Sequence, residues 1–225
     1  MVESLENIVS RQRGLIPEDL MKFRWLDEIA LAPDGSQVAY TIRRPDTDSN
    51  GYITHLYVRR LDTSSAQRIT SGDCLVSSIA WSRDSTQIAY SYQEKGVHSV
   101  RVLSLSDNTE KIYLSDGPPL TSLDWSADST QLVGVRWTHM NSSEDRGSAP
   151  GIPQPTVKVV RRLRYKQDGV GWVHDRFTQI WVLELMTGDF VQVTHSECDY
   201  STPKWSISGT RLTFVGMARE QNVSL

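Results

Sequence analysis

The densest set of side chains able to grip a ligand is Lys158, Arg161, Arg162, Arg164 and Lys166, with Tyr165 among them. A guanidinium fork presents parallel N–H donors that match a carboxylate or carbonyl oxygen. In an extended segment alternate residues share a face, so Arg162 and Arg164 point one way and Arg161 and Leu163 the other. Such a strand can clamp a peptide. It can equally be a solvated strand whose surface charges pair and contribute little. A nucleic-acid patch is disfavoured. The chain has 24 Lys+Arg against 27 Asp+Glu, a net charge of -3, and no nucleic-acid-binding motif.

Nucleophilic catalysis finds no support in the residue pattern. No Gly-x-Ser-x-Gly elbow occurs, so the turn that exposes a hydrolase serine is missing. The five histidines, His55, His98, His139, His174 and His195, are scattered without metal-ligand spacing. His174 beside Asp175 can titrate near neutrality, but its polar surroundings read as a solvated loop. Gly169-Val170-Gly171 offers only two close glycines and neither follows a Rossmann strand nor opens a helix, which argues against a dinucleotide site. Cys74 and Cys198 form no CxxC pair and are expected to be free thiols in a reducing compartment. No metal and no cofactor are expected.

The elements that must carry these residues are announced by a repeat. Ala32-Pro33-Asp34-Gly35-Ser36, Trp81-Ser82-Arg83-Asp84-Ser85, Trp125-Ser126-Ala127-Asp128-Ser129 and Trp205-Ser206-Ile207-Ser208-Gly209 each precede a hydrophobic strand. A short polar side chain bonds the local backbone in a tight turn, and glycine tolerates positive φ. The tryptophan can fill the wedge between neighbouring sheets. Residues repeated in every unit build shared cores rather than a catalytic centre. Asp34, Gly35, Trp81, Asp84, Trp125, Asp128, Trp205 and Gly209 are therefore assigned structural roles.

A turn plus strand recurring at long intervals marks the blades of a β-propeller. The clearest blade runs from residue 75 to 118, with strands at 75–80, 87–92, 97–105 and 110–114. A similar unit fits 26–72. The copies start 49, 44 and 80 residues apart. The last spacing implies one blade with an insertion at about 139–178. Within it, 141–155 is an irregular loop rich in Ser, Gly and Pro, 157–163 is a strand, and 165–169 is a turn. Residues 200–216 begin a fourth blade. The expected fold is all-β: three four-stranded antiparallel blades and the start of a fourth, a partial propeller over 25–225. An arm and short helix occupy 1–24, with Pro17 near the helix start and Leu20 and Phe23 on one face.

Hydrophobic residues make up 38% and charged residues 23%, ordinary for a globular domain. The charged N-terminus lacks the apolar core of a signal peptide, and no stretch is long enough to span a bilayer. The expectation is a cytoplasmic protein that binds neither membrane nor nucleic acid. Open blade edges and interblade faces predict self-association.

The opening Pro17-Glu18-Asp19-Leu20-Met21-Lys22-Phe23-Arg24-Trp25, the phrase Leu31-Ala32-Pro33-Asp34-Gly35, and the segment from Val160 to Gly171 followed by Gln179-Ile180-Trp181-Val182 resemble the N-terminal propeller of the prolyl oligopeptidase family. The nearest branch is the acylaminoacyl-peptidase and dipeptidyl-aminopeptidase-like one, and the resemblance spans about residues 15 to 216. It implies a propeller that restricts access of peptides to an α/β-hydrolase domain bearing a Ser-Asp-His triad. It also implies that Arg161, Arg162, Arg164 and Tyr165 approach the active-site side. No catalytic residue carries over, so the chain is expected to be truncated before the hydrolase domain and inactive alone. A peptide substrate is expected only with that domain. The repeat phrase by itself also resembles the propeller of TolB, which keeps open an alternative as a stand-alone interaction module.

Overall fold

The structure, a computed structural model, describes residues 14–63, 65–115, 117–139, 166–167, 171–172 and 176–216. Within them the chain is almost entirely antiparallel β. Blade 1 comprises β1 (Trp25–Leu31), β2 (Gln37–Asp46), β3 (Gly51–Arg60) and β4 (Ala66–Arg68), paired in that order. Blade 2 repeats the order with β5 (Cys74–Trp81), β6 (Gln87–Glu94), β7 (Val97–Ser104) and β8 (Glu110–Ser115). Blade 3 starts with β9 (Thr121–Trp125) and β10 (Gln131–His139). A small ladder of β11 (Lys166–Gln167) and β12 (Gly171–Trp172) follows, and the blade resumes with β13 (Arg176–Glu184) and β14 (Phe190–Gln192). The first two strands of blade 4 are β15 (Tyr200–Trp205) and β16 (Leu212–Gly216). The first strands pack side by side, β1 on β5, β5 on β9 and β9 on β15, as the inner strands of a propeller do.

The repeat phrase builds the turn between the first and second strands. In blade 2 the Ser82 hydroxyl donates to Asp84 Oδ1 at 2.6 Å, and Asp84 Oδ1 accepts the Thr86 N–H at 3.1 Å. Ser82 Oγ also accepts the Gln87 N–H at 2.9 Å. Ser126 and Asp128 repeat these contacts in blade 3. These bonds favour the ionised carboxyl, so Asp34, Asp84 and Asp128 all sit below the usual aspartate range; the leading cause is the Ser36 backbone N–H for Asp34, and the Ser82 and Ser126 hydroxyls for the other two. The turn ends on a positive-φ residue: Gly35, Ser85, Ser129 and Gly209 at 72°, 60°, 56° and 71°. In blade 4 Ser208 stands where the aspartate is, and its hydroxyl lies 2.8 Å from that of Thr210.

Strand alternation gives each blade two unlike faces. The face toward the preceding blade is large: Ile79, Trp81, Ile88 and Tyr90 in blade 2, and Leu123, Trp125 and Leu132 in blade 3. The face toward the following blade is small: Ala39 and Thr41, then Ala80 and Ala89. Large against small closes each seam. Trp81, Ile88 and Tyr90 pack with Ala39, Leu56 and Val58, and Trp125 and Leu132 pack with Ala80, Ala89, Val100 and Val102. Trp205 and Leu212 continue the pattern against Val133, Val135, Ile180 and Val182. The indole N–H groups cross the seams: Trp81 Nε1 donates to the Ala30 carbonyl at 2.9 Å and Trp125 Nε1 to the Ala80 carbonyl at 3.0 Å. Leu31 holds the corresponding place in blade 1.

The short helix expected near Pro17 is present, as the six-residue 3-10 helix Pro17–Lys22. Two expectations change. Leu20 and Phe23 do not share a buried face; both are exposed, and Phe23 instead lies edge-on to Trp25. The helix is held by Asp19, which accepts the Ile16 N–H at 3.2 Å and pairs with Lys22 at 2.9 Å. The turn expected at 165–169 begins with a strand, because Lys166 and Gln167 pair with Trp172 and Gly171.

Candidate functional site

Two polar clusters interrupt the seams. The first joins blades 1 and 2. The ring of His55, on β3, is 5% exposed. Its Nδ1 lies 3.3 Å from Thr70 Oγ1 and 3.5 Å from Cys74 Sγ. Thr70 Oγ1 accepts the Leu56 N–H at 3.0 Å, and the Cys74 thiol donates to the Thr54 carbonyl at 3.6 Å. Burial, then the charges of Arg68 and Arg44, hold the His55 imidazole below its ordinary range, opposed by Asp73. Burial pushes the Cys74 thiol up. A neutral imidazole beside a protonated thiol is not an activated nucleophile.

The same seam also holds a cluster of paired charges and phenols, although Arg101 Nε and Thr54 Oγ1 are buried without a hydrogen-bond partner among the described residues. Arg101 lies over the Tyr92 ring, 3.4 Å from its centroid, and pairs with Glu110 at 3.0 Å. Tyr90 donates its hydroxyl hydrogen to Glu110, and Tyr92 donates to Glu94 at 2.9 Å. Burial first, then the neighbouring carboxylates, raise both phenols.

Counting along the third strands shows that the histidine cluster is repeated. His55, Ser99 and Gln179 each stand three residues before a buried valine, Val58, Val102 and Val182. Gln179 Oε1 accepts the Thr194 hydroxyl at 2.8 Å, and Thr194 Oγ1 accepts the Ile180 N–H at 2.9 Å. His55–Thr70 and Gln179–Thr194 are thus one device, tying the end of a fourth strand to the third. Repetition of this kind is architecture.

The second cluster lies between blades 2 and 3. Arg136, on β10, is 6% exposed and stacks over Trp181 and Phe190, 4.8 and 5.7 Å from their centroids. A Cβ at Gly117 would overlap its guanidinium, so the glycine makes room for the arginine. Burial and then the Arg136 charge lower His98. β10 ends at His139, where the segment with the arginine run begins. Sequence reasoning passed over Arg136. The available signal was one arginine inside the apolar run Leu132-Val133-Gly134-Val135-Arg136-Trp137, since an arginine so placed is buried only if accommodated.

Carboxylates also stitch the inner strands. Glu28 accepts the N–H groups of Ser78 and Ile79 at 2.9 and 3.0 Å. Asp124 accepts the Trp205 N–H at 2.8 Å and pairs with Lys204 at 2.9 Å. Ser78, Ser122 and Thr202, at the matching position of successive blades, all have positive φ. They mark the bulge in each first strand.

Arg161, Arg162, Arg164 and Tyr165 lie outside the described residues, as do His174 and Asp175. The neighbouring Lys166 is exposed on β11. Among the described residues no group of three or more His, Cys, Asp or Glu can hold a metal ion, and no helix is long and apolar enough to cross a membrane. The tryptophans and aspartates of the repeat sit in turns and seams, and none faces an activated nucleophile.

No family model matches the chain. It is 25% identical over 185 residues to the uncharacterized peptidase YuxL of Bacillus subtilis, covering 81% of this chain and 28% of that protein. It is 28% identical over 159 residues to dipeptidyl-peptidase 5 of Porphyromonas endodontalis, covering 70% of this chain and 23% of that protein. Among solved structures, the acylaminoacyl peptidase of Pyrococcus horikoshii superposes with a TM-score of 0.66 at 20% identity, over 91% of this chain and 29% of that one. TolB from Acinetobacter baumannii gives a TM-score of 0.52 at 18% identity, over 80% and 36%. The chain spans less than a third of the length of the curated relatives it matches.

Proposed function

We propose that this chain, a run of propeller blades similar to part of the prolyl oligopeptidase-type peptidases, serves as the substrate-gating segment of a peptide-hydrolysing serine peptidase. The supporting observation is the pairing of sequence likeness to two peptidases with seams whose described polar clusters bond neighbouring strands to one another and hold no activated nucleophile among the described residues. The described residues hold a scaffold, and the chemistry needs another domain. In this reading an α/β-hydrolase domain outside these 225 residues supplies the serine, the histidine base and the oxyanion hole. The blades limit access to short peptides. The arginine run contributes Arg161, Arg162, Arg164 and Tyr165 to hold a substrate carboxylate or carbonyl. The protein works in the cytoplasm.

The test is to capture the native gene product with an antibody to these residues, then measure its mass and its labelling by a fluorophosphonate. A labelled product of roughly 600–700 residues, a propeller plus a hydrolase domain in size, supports the reading. An unlabelled product at 25.4 kDa overturns it and favours a stand-alone interaction module, for which the TolB likeness supplies the fold. Within a labelled product, Arg162→Ala with Arg164→Ala should raise KM for short peptides about tenfold or more, the loss of one charge-assisted bond.

A further inference from the structure

Three blades place a polar residue at the same point of the third strand, His55 on β3, Ser99 on β7 and Gln179 on β13. Of the three, only the histidine takes up a proton near neutrality. In blade 3 Gln179 Oε1 accepts the Thr194 hydroxyl at 2.8 Å. Its Nε2 donates to the carbonyls of Ser196 and Cys198, both at 2.9 Å, in the link to blade 4. In blade 1 an imidazole 5% exposed takes that place. Its Nδ1 faces Thr70 Oγ1 at 3.3 Å and Cys74 Sγ at 3.5 Å, toward the two ends of the link into blade 2. Thr70 Oγ1 already accepts the Leu56 N–H at 3.0 Å, and the Cys74 thiol donates to the Thr54 carbonyl at 3.6 Å. Nδ1 of the neutral ring therefore accepts the Thr70 hydroxyl, as Gln179 Oε1 accepts that of Thr194.

We infer that the link from blade 1 to blade 2, residues 69–74, is a proton-operated latch, which protonation of His55 opens while the blades on either side stay folded. Protonation puts a hydrogen on Nδ1, where the Thr70 hydroxyl needs an acceptor, so that hydroxyl loses its partner at a buried site. It also places a charge where little compensates it. Burial disfavours that charge first, then Arg68 of β4 and Arg44 of β2, while Asp73 of the link opposes them. Asp46 lies 4.0 Å from Arg44. On the blade 2 side the carboxylates are already engaged. Glu94 accepts the Tyr92 hydroxyl at 2.9 Å, and Glu110 pairs at 3.0 Å with Arg101, which lies over the Tyr92 ring. The latch is closed at pH 7 and above. It opens as pH falls below the ordinary histidine value of about 6.5, because the solvated ring of the open link binds a proton more readily than the buried one. Opening bares Cys74, which is 1% exposed in the closed state. The latch lies at an internal seam and is independent of the peptidase reading.

The experiment follows Cys74 in the purified gene product with a dipyridyl disulfide, a reagent that attacks thiols even in acid. Peptide mapping by mass spectrometry gives the labelling rate at Cys74 relative to Cys198, so the pH dependence of the reagent divides out. Between pH 7.5 and pH 5 that ratio should rise at least about threefold, toward the ceiling of about thirtyfold that one proton with an ordinary open-state pKa sets. Far-UV circular dichroism should stay native over the same range. His55→Gln keeps an acceptor for Thr70 and removes the proton site, so its ratio should stay within about twofold. His98→Gln, at the next seam, should leave the rise intact. A flat ratio in the wild-type protein overturns the proposal. So does a rise that persists in His55→Gln or is lost in His98→Gln, and so does a rise seen only together with loss of the far-UV signal.

Discussion

Trp125 Nε1 donates to the Ala80 carbonyl at 3.0 Å across the seam between blades 2 and 3, one repeat after Trp81 makes the same bond to Ala30. Each indole fills the gap between two sheets and also satisfies a carbonyl that the twist of the neighbouring strand leaves pointing at it. Trp205 occupies the third such position, yet its Nε1 is buried with no hydrogen-bond partner among the described residues. The same residue type, at the same place in the repeat, is therefore fully used twice and partly used once.

That difference is measurable. Trp125→Phe keeps an aromatic body but strands the Ala80 carbonyl, and should cost about 1–3 kcal/mol. Trp125→Ala should cost about 3–5 kcal/mol through the cavity it leaves in a site 1% exposed. Trp205→Phe removes an N–H that was already unpaired and should cost less than Trp125→Phe. Urea unfolding of the three variants checks the order.

The repeat was legible in the sequence because its residues are distinctive: tryptophan, then serine, aspartate and a positive-φ residue, each needed for a local reason. The blade boundaries followed from it, and the observed strands of blade 2 lie within a residue or two of those expected. The seam chemistry was not legible. Glu28 bonds Ser78 and Ile79 from fifty residues away, and His55 finds Thr70 only because a fourth strand returns beside the third. Nothing local distinguishes those side chains from solvated ones. The short helix was legible, but its packing was misjudged for a related reason. Leu20 and Phe23 have helical spacing, but six residues anchored by Asp19 form a tighter turn that leaves both exposed.

His55 should make stability depend on pH. Its folded-state pKa lies below the ordinary histidine value, by burial and then by Arg68 and Arg44, with Asp73 opposing. Below about pH 6.5 the unfolded chain therefore binds more protons than the folded one. The stability tied to a neutral His55 is complete above that pH and is lost as pH falls toward the folded-state pKa. His98 acts in the same sense, through burial and Arg136. His55→Gln borrows the side chain found at Gln179, which can accept from Thr70 as Gln179 does from Thr194. Its urea midpoint should fall less steeply between pH 7 and pH 5 than that of the wild type. An unchanged slope would mean that His55 is accessible to protons in the folded chain.

Gly134 is fixed by close approach of the neighbouring strand. A Cβ there would lie 2.7 Å from Leu120 Cγ and 2.8 Å from the Thr121 carbonyl oxygen. The second of these is backbone and has no rotamer in which to retreat. Its blade 2 counterpart is Tyr90, so the position accepts a large side chain only where the next strand stands off. Gly134→Ala should destabilise by about 1–3 kcal/mol, as overpacking does. Gly96→Ala meets open space but has a φ of 80°, so its cost should come from backbone strain alone, about 1 kcal/mol. Thermal unfolding of both variants separates the two causes.

The two cysteines give a direct readout of the first seam. Cys74 and Cys198 both stand seven residues before a repeat tryptophan, Trp81 and Trp205, and both are free thiols. Cys74 is 1% exposed and donates to the Thr54 carbonyl, and burial raises its pKa. Cys198 is only partly buried. A thiol reacts as its thiolate and only when reached by the reagent. With an aromatic disulfide reagent at pH 8, one equivalent should therefore react promptly and be abolished by Cys198→Ser. The second should appear only as fast as blades 1 and 2 separate, and urea well below the global midpoint should speed it if that seam opens before the rest. Prompt reaction of both thiols would show that the His55–Thr70–Cys74 cluster is open in the native chain.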